Sequence, residues 1–185
     1  MLYHWRMIKV STLSNNPVQE TTIEEIIKTE LYAVTNGKII PIEDVKDPVF
    51  SEKMMGDGFA IQPTSENVLS PVSGRLFQVA DALHAYGIVT DKGIEILVHI
   101  GLDTVTLRGE GFKSSLKIGM LIERGELLAT VDFDYLIEQE KELTISVVII
   151  NGCSDLYRYE LNPEPKALAG ETIALTVFKK TGKQR

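Results

Sequence analysis

His84-Ala-Tyr-Gly-Ile-Val-Thr-Asp-Lys-Gly-Ile-Glu-Ile-Leu-Val-His99 is the stretch that decides how this chain is read. Two β-forming runs flank Asp91-Lys92-Gly93, which is turn chemistry. The segment therefore predicts a β-hairpin with a histidine at each outer end. Alternation along its second strand puts Ile94, Ile96 and Val98 on one face and Glu95, Leu97 and His99 on the other. The first face is core. The second is mixed, as suits a polar reactive side chain set among apolar neighbours.

Loop length decides which residues oppose each other. If Asp91 and Lys92 form a two-residue loop, residue 90 faces 93 and His84 faces His99, with Cβ atoms about 4.5–5.5 Å apart. A three-residue loop through Gly93 shifts the register by one and assigns the rings to opposite faces. We expect the two-residue loop because it gives both histidines a joint role, although the residues alone permit either. A pair of imidazoles suits phosphoryl shuttling. The neutral ring nitrogen is nucleophilic near neutral pH, provided the other nitrogen is held as a donor. Such transfer needs positioning and charge stabilisation more than covalent machinery.

Outward from the hairpin, short β-forming runs recur near 37–42, 58–63, 67–70, 74–80, 84–90, 94–101, 103–107, 126–132, 143–150 and 172–178. Only 132–142 reads as helix, with Asp132 as its candidate cap. The fold class that follows is all-β: an antiparallel β-sandwich or partly closed barrel with short helical segments, over residues 31–180. Residues 1–30 read as an N-terminal extension or linker. Their polar run 11–22 leads to Thr22, a candidate cap for a short helix carrying Ile23, Ile26 and Ile27 on one face. The leading Leu2-Tyr3-His4-Trp5 is compatible with a docking segment, a remnant of a fused chain, or an upstream start.

Composition narrows the function classes. The chain has 185 residues, a formal charge of −7, 44% hydrophobic and 24% charged residues, and a single cysteine, Cys153. The acidic balance argues against nucleic acid and fits a basic protein partner better. One cysteine allows no internal disulfide, which suits a reducing cytoplasm; Cys153 reads as a small packing residue. No apolar run has the length to span a bilayer, and the first residues lack a secretory pattern. The expectation is a cytoplasmic protein with no direct membrane insertion.

Several ordered blocks together resemble the glucose and β-glucoside type of enzyme IIA of the bacterial sugar phosphotransferase system. They are Val45-Lys-Asp-Pro-Val-Phe-Ser-Glu-Lys-Met-Met-Gly-Asp-Gly58, Ser70-Pro-Val-Ser-Gly74, Leu97-Val-His-Ile-Gly-Leu-Asp-Thr-Val105 and Gly109-Glu-Gly-Phe112. The resemblance implies that His99 is phosphorylated through Nε2, that His84 stabilises the transferring group, and that the Gly101 carbonyl orients the active ring. It implies a histidine phosphocarrier protein as donor and a cysteine on an enzyme IIB domain of a sugar permease as acceptor. By the same resemblance Asp47 and Asp103 flank the site and meet basic residues of the carrier. The surrounding apolar surface would comprise Pro48, Val49, Phe50, Met54, Met55, Tyr86 and Leu97. No cofactor beyond the covalent phosphate is implied. The chain has no intrinsic metal set, although His84 and His99 could share a zinc ion with a partner's carboxylate.

The chain departs from the family pattern in two places. Asp81-Ala82-Leu83-His84 stands where Pro-Thr-x-His is usual, so Ala82 removes a hydroxyl from the active-site network and Ala80 removes an aromatic. Thr144-Ile-Ser-Val-Val148 stands where Thr-Pro-Val-Val is commoner. Three other readings compete. One is a regulatory module with weak transfer, which the Ala82 change keeps open. Another is a lipoyl- or biotinyl-type carrier, from Lys92 in its hairpin and Gly119-Met-Leu-Ile-Glu-Arg-Gly-Glu-Leu-Leu128. The last is a zinc hydrolase, which would need a third ligand that the sequence does not supply.

Overall fold

The computed structural model describes residues 26–152 and 157–180. The Leu2-Tyr3-His4-Trp5 stretch, the cap expected at Thr22 and Cys153 lie outside the described residues. The strands are β1 (Ile26–Tyr32), β2 (Gly37–Pro41), β3 (Asp57–Pro63), β4 (Asn67–Leu69), β5 (Gly74–Val79), β6 (Ala85–Val89) and β7 (Glu95–Leu102). After them come β8 (Phe112–Lys113), β9 (Leu121–Ile122), β10 (Leu127–Val131), β11 (Glu142–Ile149), β12 (Tyr157–Leu161), β13 (Lys166–Ala167) and β14 (Ile173–Lys180). Two short helices, α1 (Pro48–Ser51) and α2 (Phe133–Glu138), interrupt them.

An 8-stranded sheet runs in the order β13-β2-β3-β11-β7-β6-β5-β9. Two 3-stranded sheets, β1-β14-β12 and β4-β10-β8, complete the all-β architecture. Every recorded pairing is antiparallel.

The large sheet buries apolar residues on both faces, which follows from alternation along its central strands. Ile96, Val98 and Ile100 of β7 join Phe59, Ile61, Ile145 and Val147 in the main core. Leu97 and Leu102 point the other way and join Ala60, Ala85, Val148, Ile40, Ile42, Val45 and Phe50 in a second cluster. Each large apolar side chain so buried contributes about 1.5–3 kcal/mol. That second face, over which the 3₁₀ turn Ile42–Asp44 and α1 pack, carries His99.

The structure corrects four expectations. Residues 103–107 form no strand: Thr104–Leu107 is a 3₁₀ turn between Asp103 and Arg108, both left-handed at φ 56° and 53°. Thr104 Oγ1 donates to the Ile100 carbonyl at 2.7 Å and fixes that turn. The expected 132–142 helix is shorter, because left-handed Glu140 (φ 57°) ends it and β11 starts at Glu142. Its cap is as expected, with Asp132 accepting from Tyr135 N at 2.9 Å. At the N-terminal side the chain is already extended at Ile26, where β1 pairs with β14, rather than helical through Ile26 and Ile27.

The fourth correction concerns the decisive hairpin. β6 and β7 pair Ala85 with His99, Tyr86 with Val98, Gly87 with Leu97, Ile88 with Ile96 and Val89 with Glu95. Thr90 N donates to the Ile94 carbonyl at 2.9 Å and Gly93 N to the Thr90 carbonyl at 3.0 Å. The loop therefore has three residues, closed by Gly93 in a left-handed conformation at φ 68°. The two-residue register that would have set His84 opposite His99 is not formed.

Candidate functional site

Despite that register, the two imidazoles meet. Their centroids lie 5.2 Å apart with the ring planes at 81°. His84 precedes β6 and sits in the turn that joins it to β5, where Leu83 N donates to the Ala80 carbonyl at 2.8 Å. Leu83 is left-handed at φ 55°, so the chain bends just before the histidine. The His84 carbonyl still accepts from Ile100 N at 2.8 Å. Its side chain, lying off the end of the strand, is released from the pleat that would have sent it to the far face.

His99 sits on β7 between β11 and β6, where the backbone is paired on both sides. The row across the sheet runs Ile40, Ala60, Ser146, His99, Ala85. Small neighbours on both sides of His99 leave room above the sheet for an aromatic ring. Phe50 fills part of it, with its centroid 5.2 Å from the His99 ring and the planes at 57°. α1 delivers Phe50. Its N-cap Asp47 accepts from Val49 N at 2.9 Å, and Pro48 supplies the preset φ of a first helical position.

Both rings are biased toward the neutral form. Burial first, and the neighbouring His84 second, push His99 down to about 4, while the Gly101 backbone, Asp47 and Asp103 oppose that shift. Burial likewise lowers His84. The Nδ1 atoms of both rings are buried without a hydrogen bond. The Gly101 backbone is the hydrogen-bonding group that acts on the His99 ring, and it favours the protonated form. Gly101 must be glycine: at φ 70° an added Cβ would lie 2.6 Å from Thr104 Cγ2 and 2.9 Å from the Glu142 carbonyl.

The rim combines acid and grease. Asp103 is exposed and Asp47 half-buried, and with Pro48, Leu102, Lys46 and Lys141 they line a groove of about 450 Å³. Val49, Met54 and Met55 are exposed at 39%, 69% and 40%. Val105, on the turn after β7, is also exposed and was not singled out from sequence. Phe50, Leu97 and Tyr86, all expected at the partner surface, are instead buried, Phe50 against the His99 ring and Tyr86 wholly. Tyr86 pairs with Val98, and both belong to the main core, so the register sends its ring inward.

Among the described residues no group of three or more histidine, cysteine, aspartate or glutamate side chains is placed to hold a metal ion. His84 and His99 supply two ligands of the three that a catalytic zinc site uses. Lys92, the alternative carrier position, donates to the Lys28 carbonyl at 3.0 Å. A groove of about 500 Å³ lined by Lys28, Tyr32, Ser73, Lys92 and Arg124 lies around that hairpin tip, and neither histidine lines it. No helix among the described residues is long and apolar enough to cross a membrane.

Residues 29–154 match the family described as phosphoenolpyruvate-dependent sugar phosphotransferase system, EIIA 1. The chain is 43% identical over 148 residues to the PTS system glucose-specific EIIA component of Halalkalibacterium halodurans, covering 80% of this chain and 84% of that one. It is 45% identical over 134 residues to the PTS system glucose-specific EIICBA component of Streptococcus pneumoniae, covering 72% of this chain and only 18% of that longer protein. Among solved structures, the glucose permease IIA from Mycoplasma capricolum superposes with a TM-score of 0.75 at 36% identity, covering 80% of this chain and 96% of that one.

Proposed function

Because the chain belongs to the EIIA 1 family of the phosphoenolpyruvate-dependent sugar phosphotransferase system, a phosphotransferase component of sugar transport, we propose that His99 is its phosphoryl-carrying residue. The donor is the histidine phosphocarrier protein of the same cytoplasmic system. His99 Nε2 attacks the donor's phosphorus with its lone pair. The bond from phosphorus to the donor imidazole breaks, and the departing nitrogen keeps the electron pair. A cysteine thiolate of an enzyme IIB domain then takes the phosphoryl group from His99 in the same in-line manner.

The role of His84 is to donate to the phosphoryl oxygens while the group is in flight, where hydrogen bonds aimed at developing charge are worth most. The Gly101 carbonyl holds the His99 ring in place. Asp47 and Asp103 attract a basic partner, and Val49, Met54 and Met55 give it an adaptable apolar seat. A zinc ion would need a partner's carboxylate to complete the two imidazoles. Sugar choice rests with the permease, since this site addresses proteins only.

The single observation that carries this reading is the contact of two imidazoles biased toward the neutral form, 5.2 Å apart. Incubation with phosphoenolpyruvate, the general phosphotransferase enzyme and the carrier should place one acid-labile phosphate on His99, located by mass spectrometry. His99→Ala should abolish the label. A phosphate on any other residue would overturn the assignment.

A further inference from the structure

Lys53 ties together three segments around the exposed methionines. Its ammonium lies 2.6 Å from Glu43 Oε1 and 2.8 Å from Asp57 Oδ2. Glu43 belongs to the 3₁₀ turn Ile42–Asp44, and Asp57 opens β3. Lys53 itself follows α1, and its N–H donates to the Phe50 carbonyl at 2.9 Å. Phe50 is the residue that packs on the His99 ring. Between Lys53 and Asp57 run Met54 and Met55, both exposed, and then Gly56. The Lys53 backbone is left-handed at φ 57°, a conformation that a residue with a Cβ disfavours.

We propose that Lys53 is a positioning residue for phosphoryl exchange at His99, its two carboxylate partners holding Met54 and Met55 as a preset seat for the docking protein. Partly exposed ion pairs such as these add little to overall stability. Their effect is local. The pair with Asp57 closes the loop 53–57 at both ends, and the pair with Glu43 fastens that loop to the turn whose Ile42 packs with Phe50. A seat already ordered loses less freedom when a partner lands, so affinity rises without any new contact. The transfer step itself does not involve Lys53, and its rate within the docked complex is independent of the bridge.

The inference rests on partner docking at His99, and its test separates the two claims. Lys53→Met should raise the KM for the carrier protein roughly 3–10-fold, the scale of ordering one or two long side chains on binding, with kcat unchanged. Methyl-labelled methionine signals of Met54 and Met55 should sharpen toward those of freely moving side chains. Lys53→Arg, whose planar fork can serve both carboxylates, should restore the KM and both signals. Glu43→Gln, which removes half the bridge from another element, should raise the KM less. Lys28→Met, which removes the exposed pair with Glu30, should change none of these. An unchanged KM in folded Lys53→Met would overturn the proposal, as would a loss confined to kcat or a failure of Lys53→Arg to rescue. If wild type takes up no phosphate at His99, the carrier reading falls, while the methyl signals still decide whether Lys53 orders the loop.

Discussion

The Asp47 carboxylate accepts a hydrogen bond from Val49 N at 2.9 Å and thereby starts the 4-residue helix that lays Phe50 on the His99 ring. One side chain thus serves both the local fold and the electrostatics of the site, and two substitutions separate those roles. Asp47→Asn keeps a capping oxygen and removes the charge. It should leave stability unchanged and slow encounter with the basic carrier at low salt, with the difference narrowing as salt rises. Asp47→Ala should in addition lose about 1 kcal/mol in urea denaturation.

Protonation of His99 sets the low-pH limit of the site. Its folded value of about 4 lies below the ordinary 6.5, mainly through burial. As pH falls from 6.5 towards 4, the unfolded chain gains a proton that the folded ring refuses, so stability drops by up to about 3 kcal/mol. His84 acts in the same direction. Phosphoryl uptake should stay flat from neutral pH down to about pH 5 and then decline. His99→Gln should flatten the stability curve across that window, measured by denaturation at stepped pH.

His84→Ala should separate the two halves of the relay. The variant should still accept phosphate on His99 from the carrier. Onward transfer to the enzyme IIB cysteine should drop about 10²–10³-fold, the cost of removing one donor to transition-state charge. Single-turnover labelling of each step makes the check, and normal rates in both would remove His84 from the mechanism.

Gly101→Ala tests the backbone beneath the ring. A left-handed alanine costs about 1–2 kcal/mol, and here the added carbon would also strike Thr104 and the Glu142 carbonyl. The variant should melt lower. Its uptake should fall further than its stability predicts, because the carbonyl facing His99 moves with the strain.

Strands in all three sheets were legible because β2, β3, β5, β7, β10, β11 and β14 carry β-forming runs bounded by turn residues. Harder to read was anything set by a single torsion. Gly93 adopts positive φ and lengthens the hairpin loop by one residue, and that slip changes every cross-strand pair. The histidine contact survives for a reason the alternation pattern does not contain: Leu83 turns left-handed and lifts His84 off the strand. Thr104–Leu107 looks like a strand in its residue types, yet left-handed residues at both ends coil it. Tyr86 resembles a surface aromatic until the register assigns it to the core.

β7 is hydrogen-bonded to β11 on one side and β6 on the other, so the residue it carries cannot travel. Carrier domains that place their reactive group on a mobile arm move cargo by swinging it between stations. Here the station is fixed, so on the proposed reading the donor must bring its phosphoryl group to the ring and the acceptor must bring its thiolate to the same place. Turnover would then be governed by how quickly successive visitors come and go from one shared landing place, and occupancy by either one excludes the other.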